Sequence, residues 1–385
     1  MKAIVTGMIA SYPVGGVAWD YGQYALGLER LGFEVFYLED TGWQTYDPRH
    51  GEYGEDCSYG VEFLARTLAD FSPSLARRWR FRSMDGRGFG MSEADFAEAL
   101  DASDLFLNVS GGTLLRPEYL RCQRKVLIDT DPGWNHFRNY PRWDRQPNWH
   151  GTHGFRAHDF FFTYAERLGK PGCILPDLGL AWQPTRPPVV LDAWKREAPG
   201  TTWTTVMTWK NFHETIEYQG VKYGTKEMEF EKIARLPAHV HAPIEIALGG
   251  AKAPVADWQK LGWRVIKSDL VSQTAAQYRQ YIQSSRGELS VAKNVYVATR
   301  CGWFSCRSVC YLAAGLPVVV QDTGFSEVFP VGEGLFSFAD LTQAIAALQA
   351  VEADYDRHQR AARALAENYF AAEIVLGDLL RRIGL

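Results

Sequence analysis

Short apolar runs that end in polar or glycine-rich loops recur along this chain, separated by stretches of helical period. KAIVTG at 2–7 is the first run, followed by the glycine-rich SYPVGGVAWDYG and the helical QYALGLERLG, which stops at Gly32. FEVFYLED at 33–40 is a second strand, ending in Glu39 and Asp40. Strand, glycine loop, helix and strand in that order open a doubly wound sheet. VEFLARTLADF at 61–71 is amphipathic, and the stretch before it is an Asp/Gly/Tyr-rich loop. DLFLNVSG at 104–111 and KVLIDTDPGW at 125–134 predict two more strands, with Ser110, Gly111, Gly112, Asp129 and Asp131 at their carboxyl ends. In open α/β sheets ligands collect at those ends. Residues 135–158 carry Trp, His, Asn and Arg without periodicity, and HDFFFTYAERLG then supplies another strand. So long an irregular stretch inside a compact domain is usually functional or mobile, and an acceptor loop is expected here.

The rhythm restarts after AWQPTRPP at 181–188, which has three prolines and no apolar period and so marks a domain boundary between 180 and 199. TTWTTVMTW, IEIALGG, WRVIKSD and GELSVAK predict strands, and AAQYRQYIQSS before the last of them a helix. KNFHETIEYQGVKYGTKEMEFEKIARL, after the first, predicts a polar loop leading into a helix. GWFSCRS at 302–308 predicts a helix over 307–314, capped by Ser305 or Ser308 and ended by Gly315 and Pro317. LPVVVQD follows as a β-branched strand buried on both faces. From Ala339 onward the chain is strongly helical.

At 385 residues there is room for two domains of ordinary size. A net charge of −4 with no basic run argues against a nucleic-acid partner. No apolar stretch approaches the roughly 20 residues of a membrane span, and the amino terminus predicts a first strand rather than a signal peptide. The expectation is a cytoplasmic protein, in which the Asn108-Val109-Ser110 sequon has no meaning. The six cysteines are scattered without metal-ligand spacing, so reduced thiols are expected and no metal site. The first glycine loop is not G-x-G-x-x-G, which argues against a nicotinamide or flavin. Aromatic content is high, with thirteen tryptophans, and aromatic clusters at 134–149 and 203–223 offer rings both to the core and to sugars or bases.

The chemistry concentrates in 297–327, VATRCGWFSCRSVCYLAAGLPVVVQDTGFSE. A helix start offers free N–H groups and partial positive charge, so Ser305, Arg307 and Ser308 form a candidate diphosphate cradle. The stretch resembles the donor half of GT-B glycosyltransferases of the family 4 type. Those carry E-P-F-G-x-x-x-x-E-A-x-A-x-G-x-P-V-V followed by D-x-G-G-x-x-E. AAGLPVVV at 313–320 matches the first motif well, and Asp322, Gly324 and Glu327 match the second with one residue fewer. The two glutamates of the first motif fall on Gly302 and Cys310 and are absent.

The resemblance implies two Rossmann-like, doubly wound α/β domains facing a cleft. They would be an acceptor-binding domain over 1–182 and a nucleotide-sugar domain over 183–365, with residues 366–385 as a helix that crosses back to the first. It implies a metal-independent hexosyltransferase that takes a nucleotide-diphosphate sugar as co-substrate, needs no cofactor, and acts on a glycan, lipid or small-molecule acceptor. Donor contacts are expected from Gly15, Gly16, one or more of Lys210, Lys222 and Lys226, and from Ser305, Arg307, Ser308, Asp322, Thr323, Gly324 and Glu327. For an inverting reaction the candidate bases are Asp20, read as lying where the first helix begins, and His153 in the irregular stretch. Asp129-Thr130-Asp131 spells D-x-D but lies in the acceptor half, where a solvated loop pair is the simpler reading. An epimerase of the same fold and a non-catalytic sugar-nucleotide module are the alternative functions.

Overall fold

In the computed structural model, which describes residues 1–145, 154–195, 200–210, 215–250 and 252–385, the short apolar runs form two separate sheets. Among the described residues the first sheet has eight strands. Their spatial order is Trp182–Pro184, Phe160–Thr163, Lys125–Asp129, Leu105–Val109, Lys2–Thr6, Glu34–Glu39, Trp79–Arg82 and Gly88–Gly90. All neighbours pair in parallel except the last two, which form an antiparallel edge. The second sheet has six parallel strands, in the order Arg264–Lys267, Ile244–Gly249, Trp203–Thr208, Gly287–Ser290, Val318–Gln321 and Leu335–Phe338. Both orders reverse direction beside the first strand of their half, the arrangement that opens a crevice at the carboxyl ends.

Continuous burial explains the central strands. Leu105–Val109, Lys125–Asp129, Gly287–Ser290 and Val318–Gln321 are buried at every position, as apolar runs between two helical layers must be. The antiparallel pair of Trp79–Arg82 with the edge strand Gly88–Gly90 was not expected. WRFR alternates buried and half-buried residues, with both arginines on the outer face, and GFG has no apolar run at all. The 210–235 stretch also differs from the expected polar loop and helix. Ile216–Tyr218 and Val221–Tyr223 pair as a hairpin before a short helix, Glu227–Phe230.

The first helix, Gly15–Arg30, begins five residues before Asp20, inside the stretch expected to be a loop. Its N-cap is Val14 with no side-chain cap bond, so Asp20 lies in the second turn and is not a cap. The last helix, Ala372–Arg382, packs on this first one. Gly27 makes the approach possible, since a Cβ there would stand 2.6 Å from Leu376 and 2.8 Å from Ala372.

The two halves touch along several seams. Trp19 Nε1 donates to the Ala275 carbonyl at 2.8 Å, and a Cβ on Gly15 would stand 2.3 Å from the Thr274 carbonyl oxygen. On the other side, the backbone N–H of Arg167 donates to the Cys301 carbonyl at 3.0 Å and that of Ile174 to Thr299 at 3.3 Å. No helix among the described residues is long and apolar enough to cross a membrane.

Candidate functional site

The site is built on the carboxyl ends of the strands of the second sheet, where they face the first helix. Ser305 caps the helix Cys306–Ala313, its hydroxyl accepting from the Arg307 N–H at 3.3 Å. Arg307 thus stands on the opening turn, and its side chain runs inward, 13% exposed. Nε donates to Glu288 Oε1 at 2.6 Å, Nη1 to the Val206 carbonyl at 2.6 Å and Nη2 to Ser290 Oγ at 2.8 Å. A guanidinium has five N–H groups, and those three bonds fix its plane. Glu288 is fully buried, and its Oε2 has no hydrogen-bond partner.

Lys226 lies beside this pair. Its pKa is held well below the lysine range, first by burial and then by repulsion from Arg307. Among the described residues no carboxylate lies within salt-bridge distance of its ammonium group. A second lysine, Lys293, sits next to it, because the backbone of 224–225 is bonded to that of 294–295 at 3.2 Å. Lys293 Nζ pairs with Asp131 Oδ2 at 2.6 Å, and the Tyr296 hydroxyl donates to the other oxygen of Asp131. Three cations thus converge on two paired carboxylates, one of them from the first half.

Asp20 reaches the same place from the first helix. Its carboxyl meets the Cys306 thiol, and burial pushes its pKa up to about 6 against the opposing effect of that hydrogen bond. The Cys306 thiol is itself pushed well above its ordinary value by burial and by Asp20, so it remains a protonated donor. Behind Asp20 the hydroxyls of Tyr24 and Tyr164 meet at 2.5 Å, fully buried. A carboxyl poised near neutrality, one residue away from a fixed guanidinium on the opposite wall, can accept a proton where an anion leaves.

The other expected site residues divide by position. Ser308 lies in the first turn of the same helix and is buried there, one residue beyond Arg307. Gly15 and Gly16 face Thr274 and Tyr278, and the nearest atoms to a Cβ on Gly16 are those of the Tyr278 ring at 3.2 Å. Lys210 is exposed at the end of the strand Trp203–Thr208, and Lys222 is exposed on the hairpin. Asp322 caps its own loop, accepting from the N–H groups of Gly324 at 2.9 Å and Ser326 at 3.3 Å. Thr323 donates to the Trp303 carbonyl at 2.5 Å. Gly324 has φ +95° and packs against the Arg300 carbonyl, while Glu327 pairs with Arg167 at 2.6 Å and with Arg300 at 2.5 Å. His153 lies outside the described residues.

The D-x-D is not a solvated loop pair. Asp129 is fully buried, accepts from Asn135 Nδ2 at 2.6 Å and Thr163 Oγ1 at 2.9 Å, and lies 3.1 Å from His136 Nε2. These bonds fix the turn that carries Asp131 to the second half. Among the described residues no group of three or more His, Cys, Asp or Glu is arranged to hold a metal ion. Sequence reasoning missed Glu288 and Lys293, although both lie in the GELSVAK run and Lys293 is the polar residue at the strand end. A depression lined by Ala314, Gly315, Asp356 and Arg363 lies at the far end of the helix from Arg307 and takes no part.

Two crevice-forming parallel sheets with a buried basic cluster between them define a GT-B type of protein. Residues 227–374 match the family model described as glycosyl transferase-like. Solved structures extend the likeness to the whole fold. AviGT4, a glycosyltransferase involved in avilamycin A biosynthesis, superposes with TM-score 0.54 at 13% identity, over 99% of this chain and 96% of that one. An alpha-glucosyltransferase in complex with UDP gives TM-score 0.57 at 10% identity, over 100% of both chains. HepE of Anabaena, in complex with UDP and glucose, gives 0.56 at 10% identity, over 100% of this chain and 99% of that one. No curated protein matches the sequence significantly. The likeness to a glycosyl transferase-like family thus covers residues 227–374, and the fold of the whole chain is the GT-B fold.

Proposed function

We propose that the chain transfers a sugar from a nucleotide-diphosphate donor, held by the domain over 183–365, to an acceptor hydroxyl presented by the domain over 1–182. The reading has the terminal segment 366–385 bracing the two, and it requires neither a cofactor nor a metal ion. The UDP and glucose in the complexes of the similar structures support a nucleotide sugar as donor.

One observation carries the proposal: Asp20, with its pKa near 6, faces the helix start that holds Arg307, with Lys226 beside it. Lys226 and Arg307 stabilise the leaving diphosphate as its charge develops. Ser305, Asp322, Thr323, Gly324, Glu327, Lys210 and the glycines of the first helix make up the remainder of the proposed donor set, as walls of the crevice. Asp20 accepts the proton of the acceptor hydroxyl while the oxygen bonds to the anomeric carbon and the bond from that carbon to the phosphate oxygen breaks. The course is inversion, and the acceptor is a glycan, a lipid or a small molecule. We place the reaction in the cytoplasm, where nucleotide sugars are made.

The test is product analysis with a panel of UDP, dTDP and GDP sugars, before and after exhaustive chelation. Nucleotide released only when acceptor is present, at an unchanged rate after chelation, is the expected result. Activity that vanishes with the chelator and returns with magnesium would overturn the metal-independent part. An isomerised donor, or binding without turnover, would overturn the transferase.

A further inference from the structure

Lys293 and Asp131 are the charged pair that joins the two halves beside the basic cluster, and neither has a part in the transfer described above. Lys293 is held in place rather than extended into solvent: its side chain is 12% exposed, Asp131 lies 2.6 Å away, and the ammonium stands 5.3 Å from the centre of the Tyr296 ring. Asp131 belongs to the first half and is itself fixed twice over. Tyr296 donates to it, and the turn that carries it is anchored by the buried Asp129, to which Asn135 and Thr163 donate and against which His136 Nε2 lies at 3.1 Å. His136 is anchored in turn, its Nδ1 lying 2.7 Å from the Pro176 carbonyl. Alongside, the Trp303 indole donates to the Thr130 carbonyl at 3.0 Å, so the turn is bonded to the second half at two adjacent residues.

On the other side of Lys293 lies Lys226. Asn294 donates its backbone N–H to the Thr225 carbonyl, and its side-chain oxygen accepts from the Gly224 N–H at 3.1 Å. The segments that carry the two lysines are therefore locked together. Lys226 has no carboxylate of its own, whereas Lys293 has one that only the first half can supply.

We propose that Lys293 is a third cation of the diphosphate site, positioned by Asp131, so that the leaving-group site is complete only when the acceptor half is docked against the donor half. This rests on the transferase reading and assigns it a coupling: acceptor-side closure sets the charge that meets the departing phosphate. When the halves are apart Lys293 lacks Asp131, and when they are together it is held beside Lys226. Asp131 acts through Lys293 and is a positioning residue.

The experiment measures binding of UDP and of inorganic pyrophosphate by calorimetry, together with donor KM and kcat, in four proteins: the parent chain, Lys293→Met, Lys293→Arg and Asp131→Asn. Lys293→Met is expected to weaken both UDP and pyrophosphate about tenfold, the loss of one charge-assisted contact. Lys293→Arg is expected to restore most of that affinity. Asp131→Asn, which keeps the lysine but loosens its hold, is expected to lower kcat several-fold while UDP affinity stays within about twofold. A merely structural pair would instead give Lys293→Met and Asp131→Asn the same loss of stability and the same loss of kcat, with ligand affinity untouched. That result overturns the inference. Lys226→Met serves as the internal standard. If it weakens UDP while Lys293→Met does not, the inference fails and the transferase reading survives. If the parent chain binds neither UDP nor pyrophosphate nor any other nucleoside diphosphate, both fail.

Discussion

Asp20 meets the Cys306 thiol, one residue before Arg307, yet the surroundings of the two charged groups are opposite. Arg307 is buried with its charge answered: Glu288 at 2.6 Å, and two further acceptors that fix the plane of the guanidinium. Asp20 meets only a thiol, and burial without a cation lifts its pKa to about 6. A paired buried charge is a fixed part of the field, whereas an unpaired one changes its protonation in the range where an enzyme works. The contrast assigns the two walls different tasks, charge stabilisation on one and proton transfer on the other.

The largest effect that would break the comparison belongs to Asp20. Removal of a general base costs typically 10²–10⁴-fold in turnover, so Asp20→Asn is expected to lose activity in that range while donor binding is retained. With donor and acceptor saturating, kcat of the parent chain should rise as pH rises through about 6, because the base acts deprotonated. Stability should run the other way. The folded pKa is raised above 3.8, so the contribution is intact below the ordinary aspartate value and is lost as pH climbs through about 6. Asp20→Asn removes that penalty, and its melting temperature should exceed the parent's at pH 8, by an amount reflecting at most about 3 kcal/mol, and match it near pH 4. An asparagine variant with near-normal turnover would return the base to His153.

Lys226 sharpens the other wall. It is the cation whose charged form the fold disfavours, which has a use only if an anion arrives. Lys226→Met is expected to weaken nucleoside diphosphate about ten- to hundredfold in calorimetry. At neutral pH its melting temperature should equal or exceed the parent's, with the difference shrinking as pH nears the ordinary lysine range. Arg307→Ala is the contrasting variant. It strands Glu288 as an unpaired buried charge, and a loss of about 3–5 kcal/mol is expected in denaturant unfolding. Affinity and stability thus separate at Lys226 and fall together at Arg307.

How much of this could be read from the sequence follows the same physics. Val318–Gln321 and the helix before it were legible because their signals are local: a β-branched run, a serine cap and a stop at Gly315. The alternation of strand and helix gave the two-sheet plan for the same reason. Trp79–Arg82 was not legible, since this strand, paired between Glu34–Glu39 and the edge strand Gly88–Gly90, is buried on one face only and WRFR reads as polar. The Lys293–Asp131 pair was beyond reach, because nothing local marks a contact made by the docking of one half on the other. Asp20 was singled out for its place near the glycine pair, but the helix starts earlier than those glycines suggest. Gly15 serves the contact with Thr274, which only the folded chain reveals.

Gly15 offers a smaller, geometric test of how the two walls are held. An added methyl would stand 2.3 Å from the Thr274 carbonyl oxygen and 2.7 Å from Tyr278 Cβ, and neither is the loose end of a side chain. The first helix must then move off the second half, and overpacking of this kind costs about 1–3 kcal/mol. Gly15→Ala is expected to lower the melting temperature accordingly and to reduce kcat, since Asp20 rides on the same helix. Nucleotide affinity should fall less than kcat, since the cations of the other wall are untouched. Equal losses in kcat and affinity would mean that the two walls are one unit.

The smallest effect is expected at Glu327, which belongs to the proposed donor set by its place in the motif. Its carboxylate is half exposed and already shared between Arg167 and Arg300. Ion pairs at such exposure contribute about 0–1 kcal/mol, and Arg167 retains its bonds to the Arg300 and Pro171 carbonyls without it. Glu327→Gln should therefore unfold within about 1 kcal/mol of the parent. If the donor also bonds this carboxylate, affinity for a nucleotide sugar will fall while that for pyrophosphate does not, because a carboxylate recognises hydroxyls and not phosphates. If both affinities hold, Glu327 is a tie between the loop at 322–327 and the segment after the strand Phe160–Thr163, and donor recognition rests on the cations.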